Sequence, residues 1–228
     1  MTSCRNADLL AHGVDLACDV VLVDFDGLLI DTEHAGWLSW SEMFKAWGGT
    51  LAIEMWAMNA GSNNPLNPWD ELEEIAGVAL DRDRLELERR ARRDALLTVR
   101  HGVREFLDRC RRESIILGVV SNSPMHWIER QMRRLALDPS VFDLILSGEG
   151  HPPKPAPAGY LKALSSLGAT TKTAVAFEDS ERGVAAVKAA GLRCIAVPNE
   201  VTQHTDLSAA DDIVSSLSLV TVRGLRES

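Results

Sequence analysis

The sequence predicts an α/β protein, a doubly wound parallel sheet carrying an inserted helical subdomain, and three observations support this. Short continuous apolar runs recur along the chain, segments of helical period separate them, and the gap between the first and second runs is too long for one crossover. The runs are DVVLVDF (19–25), SIILGVVS (114–121), FDLILS (142–147), TAVAFE (173–178) and LRCIAV (192–197). Unbroken apolar character fits strands buried on both faces, the condition of a parallel sheet.

Between the runs, Val103, Phe106, Leu107 and Cys110 recur at helical spacing, as do Ile128, Met132 and Leu135. Val184 and Val187 repeat the pattern, with Gly191 as the expected stop. The long gap has helical patterns of its own, interrupted by the turn-rich GSNNPLNP (61–68), and unstructured loops of that length are rare. The expected organisation is therefore an N-terminal extension (1–18), a core formed by 19–33 and 99–228, and a helical insertion at 34–98. The last dozen residues read as a loosely held tail.

Composition narrows the function. A formal net charge of −9 disfavours a polyanionic partner, so nucleic acid is excluded as the expected ligand and a small molecule is favoured. Cys4, Cys18, Cys110 and Cys194 show neither zinc-type spacing nor close pairing, and they read as idle thiols. The N-terminus lacks the pattern of a signal peptide, and no apolar stretch approaches the ~20 residues of a membrane span. A soluble cytoplasmic protein without membrane partners, a monomer or weak homodimer, is the expectation.

The chemistry lies where the strands end. The first run ends in Asp24 and Asp26, the second in Ser121, the third is followed by Lys154, and the fourth ends in Glu178 and Asp179. In open α/β sheets ligands bind beyond the carboxyl ends of the strands, at the point where strand order reverses. Four segments thus deliver polar groups to one crevice. Crowded carboxylates repel unless a cation compensates, and hard oxygen donors of this kind suit Mg²⁺. An ionised Asp24 can attack phosphorus, and Asp26 can serve as general acid and then base. Ser121, neighbouring backbone N–H groups and Lys154 would hold the transferring oxygens, with Gly27 allowing the backbone to bend. Taken singly, each fragment also reads as a turn, a helix cap or a solvated lysine; their order and placement favour a site.

In order, DFDGLLIDTE (24–33), VVSNS (119–123), KPAPAGYLKAL (154–164) and FEDSERGVAAVKAAGLRCIAVPN (177–199) resemble the four motifs of haloacid-dehalogenase-like hydrolases. The resemblance is closest to the branch of phosphoglycolate phosphatase and β-phosphoglucomutase. It implies a Rossmann-like core with Asp24 as nucleophile and Asp26 as acid/base, whose backbone carbonyl also meets Mg²⁺. It further implies phosphate binding by Ser121, Asn122 and Lys154, and a metal site of Asp24, Asp26, Glu178 and Asp179. The 34–98 insertion is similar to the family's helical cap. Two positions depart from the family pattern: Pro153 replaces a glycine before the lysine, and Ala158 an aspartate after it. An acid at Asp26 argues against dehalogenation.

The implied activity is hydrolysis of a small phosphate monoester of a sugar, polyol or other metabolite through an aspartyl-phosphate. The alternatives are a sugar phosphate mutase and a non-catalytic binding module. Within the insertion, Trp37, Trp40, Phe44 and Trp47 share a helical stripe expected to form a small core. Trp56 and the GSNN turn are the expected substrate contacts. The run 81–94 reads as a solvated, self-paired helix face, with Glu86–Arg90 and Glu88–Arg92 at i,i+4. His34 and His101 read as structural.

Overall fold

The computed structural model describes residues 12–60 and 67–225. Strand β1 (Val14–Ala17) precedes β2 (Val20–Val23), and four helices follow: α1 (Thr32–Ala46), α2 (Ile53–Ala60), α3 (Pro68–Ala76) and α4 (Arg82–Leu96). The chain then alternates through α5 (Val103–Arg112), β3 (Ile116–Val120), α6 (Met125–Arg134), β4 (Leu144–Leu146), α7 (Ala158–Ser166), β5 (Ala174–Glu178), α8 (Glu181–Ala189) and β6 (Arg193–Ala196). It ends with β7 (Asp212–Ile213) and β8 (Val220–Arg223).

Six strands form one parallel sheet in the order β4-β3-β2-β5-β6-β7. Every residue of β2 and of β5 is buried, as their unbroken apolar runs require. Alternate side chains of β2 supply two separate cores. Val21 and Val23 pack with Phe106 and Ile128 on one face, while Val20 and Leu22 pack with Tyr160 and Val184 on the other. The chain moves outward from β2 to β3 and β4, then returns to place β5 on the opposite side. Strand order therefore reverses at β2, and the residues just beyond it face the crevice formed there.

The helices α1 to α4 have recognisable local causes. Asp31 caps α1 by accepting the His34 N–H, and Asp81 caps α4 by accepting that of Arg84. Asn67 caps α3 with Pro68 in its first turn, and Gly77 ends it in the left-handed region at φ 68°. Together these helices enclose a core of Trp40, Met43, Phe44, Leu51, Leu72 and Leu85, against which Trp37, Trp56 and Trp69 pack. No helix among the described residues is long and apolar enough to cross a membrane.

Several expectations need correction. Residues 220–223 of the expected tail are not loose: β8 pairs in parallel with β1, which belongs to the expected extension, and Leu16, Val220 and Val222 are buried in the main core. The alternation in VTVR carries the reason, since both valines turn inward while Thr221 and Arg223 face out. The sequence reading also missed β7, whose two residues are too few to show a period. Trp47 departs from the expected stripe and is 38% exposed, because it lies beyond the last turn of α1. On α4, Glu86 pairs with Arg90 at 2.6 Å as expected. Glu88 instead pairs back to Arg84, leaving Arg92 to reach Glu42 on α1. The GSNN turn lies outside the described residues.

Replacing both Val220 and Val222 with alanine should lower the unfolding free energy by roughly 2–5 kcal/mol, the cost of two emptied core positions. Urea denaturation measures it, and an unchanged midpoint would show that β8 contributes nothing.

Candidate active site

The predicted residues converge at the carboxyl edge of the sheet. Asp24 and Asp26 follow β2, Ser121 and Asn122 follow β3, and Glu178 and Asp179 lie at the end of β5. With Lys154 from the loop before α7, they surround a cleft of about 240 Å³; Glu178 alone is sealed behind its wall. Ser180, Glu181, Arg182 and Gly183, the first turn of α8 and its cap, complete the wall. The Ser180 hydroxyl caps that helix by accepting the Gly183 N–H at 3.2 Å.

Lys154 is the electrostatic centre. Its buried ammonium donates to Asp24 Oδ1 and, at 2.5 Å, to Glu178 Oε1, which also accepts the Tyr160 hydroxyl at 2.5 Å. Burial alone would lower the lysine pKa, but the two carboxylates outweigh it and hold the amine above its ordinary value. Burial pushes the Asp24 carboxyl well above the usual range, with Lys154 opposing and Glu178 reinforcing the rise. Asp179 is raised likewise, first by burial and then by the charges of Asp24, Glu178 and Glu33. One ammonium is not enough for this many acids.

Asp24, Glu178 and Asp179 each offer an oxygen within 4.8 Å of the others, and all three are buried. Glu178 Oε2 is buried with no hydrogen-bond partner among the described residues. An excess of negative charge and an unspent oxygen lone pair are what a hard divalent cation satisfies, so the donor set fits one. Two glycines make the crowding possible. A β-carbon on Gly27, which has φ +80°, would collide with the Asp179 carboxylate, and one on Gly183 would collide with that of Glu178.

Asp26 stands apart from this cluster. Its Oδ2 accepts the hydroxyls of Ser123 at 2.7 Å and Ser121 at 3.4 Å, and its Oδ1 accepts the indole N–H of Trp127 at 2.9 Å. The Asn122 side chain is committed to the lysine loop: Oδ1 accepts the Lys154 N–H at 2.9 Å, and Nδ2 donates to the Lys154 carbonyl at 3.4 Å. Arg182 donates to the same carbonyl, so Lys154 is held from two elements despite Pro153 and Ala158.

Sequence reasoning left several supporting residues without roles. Asn199 donates to Asp179 Oδ2 at 2.8 Å and to the Gly27 carbonyl, while its own Oδ1 accepts two backbone N–H groups. Arg100 ties the Gly27 carbonyl to those of Val197 and Pro198. Tyr160, Asn199 and Glu33 lie inside the quoted motifs, so position could have signalled them; Arg100 and Trp127 carried no such signal. Glu33 lines both this cleft and a neighbouring one of about 640 Å³ that lies between α1, α2, α4 and the start of α6. Trp56, an expected substrate contact, lines that second cleft.

Fold and site together define an α/β enzyme with an acidic, cation-seeking centre at the switch point of its sheet. The profile of the haloacid dehalogenase-like hydrolases matches residues 21–197, and the chain belongs to that family. YhcW of Bacillus subtilis (strain 168), provisionally named a phosphatase, is 31% identical over 80% of this chain and 84% of its own. Validoxylamine A 7'-phosphate phosphatase of Streptomyces hygroscopicus subsp. limoneus is 29% identical over 88% and 95%. Among solved structures, CbbY from Rhodobacter sphaeroides in complex with phosphate superposes with a TM-score of 0.64, 27% identity, and coverage of 88% and 95%. These relatives indicate a phosphoric monoester hydrolase.

Burial, with Asp26 and Asp31 nearby, pushes the Glu33 carboxyl up from 4.5 to about 7. The folded state therefore binds a proton that the unfolded chain has released, and stability present below about pH 4.5 is lost as pH rises through about 7. Glu33→Gln, which mimics the protonated acid, should leave the melting temperature of metal-free protein unchanged at pH 4.5 and raise it at pH 8. Equal melting temperatures at pH 8 would contradict the raised Glu33 carboxyl.

Proposed function

We propose that the protein is a Mg²⁺-dependent phosphatase that hydrolyses a small phosphate monoester of a sugar, polyol or related metabolite through an aspartyl-phosphate on Asp24. The observation that carries this reading is the Lys154 ammonium bridging Asp24 and Glu178 at the edge of a cleft that also exposes Asp26 and Ser121. A nucleophile, an acid/base and anion-binding groups then share one small volume. The name of the validoxylamine enzyme states that this relative acts on a phosphorylated compound of this kind.

In this reading Asp24 attacks phosphorus while Asp26 protonates the departing oxygen, and Asp26 then accepts a proton from the water that cleaves the acyl phosphate. Lys154, the Ser121 hydroxyl and the backbone N–H of Asn122 hold the non-bridging oxygens, assisted by the N-terminus of α8. Asp24, Glu178 and Asp179 with the Asp26 backbone carbonyl would hold Mg²⁺, which supplies positive charge against the phosphoryl oxygens. The helical insertion, 34–98, acts as a cap that excludes water and contributes the substrate-facing wall of the 640 Å³ cleft. Its lining of Glu33, Trp40, Trp56 and paired arginines suits a hydroxyl-rich leaving group.

A phosphate-release screen over sugar, polyol, nucleotide, glycolate and amino-acid phosphates with Mg²⁺ tests the proposal. Wild type should release phosphate preferentially from sugar or polyol esters. Asp24→Asn should lose at least about 10³-fold in kcat while keeping its fold by circular dichroism, since it preserves shape but removes the nucleophile. Full turnover by Asp24→Asn, or an isomerised sugar phosphate in place of free phosphate, would overturn the proposal.

A further inference from the structure

We propose that Trp127 is a positioning residue for the acid/base carboxylate: its indole N–H fixes Oδ1 of Asp26 as an acceptor and leaves Oδ2 as the oxygen that carries the transferred proton. The inference rests on the phosphatase reading and adds a residue outside its motifs. Trp127 lies on α6, and its Nε1 donates to Asp26 Oδ1 at 2.9 Å. The two contacts to Oδ2 are of another kind, the hydroxyls of Ser123 at 2.7 Å and Ser121 at 3.4 Å.

The chemistry of the donors makes the oxygens unequal. An indole nitrogen can only donate, whereas a hydroxyl donates or accepts by rotating. A proton on Oδ1 would compete with the Trp127 N–H for that oxygen and leave the indole a weaker acceptor in a half-buried place. A proton on Oδ2 costs only a hydroxyl rotation. Asp26 therefore keeps one acceptor oxygen in both protonation states, and the acidic proton has one address. In the first step the Asp24 oxygen bonds to phosphorus, the bond from phosphorus to the leaving oxygen breaks, and the Oδ2 proton passes to that oxygen. In the second, water attacks phosphorus, the bond to Asp24 breaks, and the water proton returns to Oδ2.

The indole is also held from the helical insertion. The Arg93 guanidinium of α4 stacks over the Trp127 ring at 4.8 Å, and Asp94 bonds to Arg93 and to Arg130 of α6, at 2.8 Å in each case. Asp26, Trp127 and Arg93 all line the 640 Å³ cleft that receives the leaving group, so the fixed oxygen pair lies where a proton is needed. A tryptophan serving only as packing would have no need of an N–H aimed at this carboxylate.

The test compares kcat/KM, which reports transfer to Asp24, for two esters with Mg²⁺. p-Nitrophenolate departs without a proton, whereas the alkoxide of a hexitol phosphate needs one. Because general acid catalysis supplies roughly 10²–10⁴-fold, Trp127→Phe should lose about tenfold or more on the hexitol ester and less than about twofold on p-nitrophenyl phosphate. Arg93→Met, which keeps the indole, should show the same ester selectivity with a smaller loss, and it carries the test should Trp127→Phe not fold. Equal losses on the two esters, or none on the hexitol ester, would overturn the assignment of Trp127. Release of phosphate from neither ester by the wild type would overturn the phosphatase reading itself.

Discussion

The site depends on the burial of more negative charge than one ammonium can neutralise. Lys154 bridges Asp24 and Glu178, with Asp179 close enough to join them around a single ion, and water is largely excluded from all four groups. A single unpaired buried carboxylate costs several kcal/mol, so such an arrangement persists only if protons or a cation complete it. Burial raises Asp24 and Asp179 above the usual carboxylate range, so their ionised forms are disfavoured unless a cation compensates. In the proposed reading, the crowding that disfavours bare carboxylates also draws in a hard cation and, beside it, a phosphate.

The scaffold enforces the crowding with groups that have no other evident task. Gly27 and Gly183 leave space that a β-carbon would fill, so the carboxylates of Asp179 and Glu178 can lie directly against backbone. Asn199 and Arg100 converge on the Gly27 carbonyl and lock the turn after β2 to the segment after β6. Tyr160 holds Glu178 from the opposite side. These contacts join separate segments of the chain, and they restrict the Glu178 carboxylate and the Gly27 turn against which the Asp179 carboxylate lies.

How far all this is legible in sequence follows the physics of each signal. The strands β2, β3, β5 and β6 are buried on both faces, and their apolar runs announce them. Apart from Lys154, which stands in the loop before α7, the residues proposed for chemistry follow β2, β3 and β5 directly, so finding a strand also locates its polar tip. Short elements leave no period: β7 has two residues, and β8 resembled a tail because two inward valines are too few to count. Long-range hydrogen bonds leave no local trace at all. Neither Arg100, whose partners lie 73 to 98 residues away, nor Trp127, which is 101 residues from Asp26, follows any pattern of spacing. The partner of Glu88 is illegible for a related reason, since arginines stand on both sides of it along α4 and only the fold turns Arg92 away to Glu42.

The most direct test of the central claim is calorimetric titration of the metal-free protein with Mg²⁺ at pH 6.5 and pH 8, in buffers of different ionisation enthalpy. Cation capture by carboxyls raised above their ordinary range requires one ion per chain, net release of protons, tighter binding at the higher pH, and weakening of at least about tenfold by Asp179→Asn. Binding that releases no protons, ignores pH and survives Asp179→Asn would contradict it.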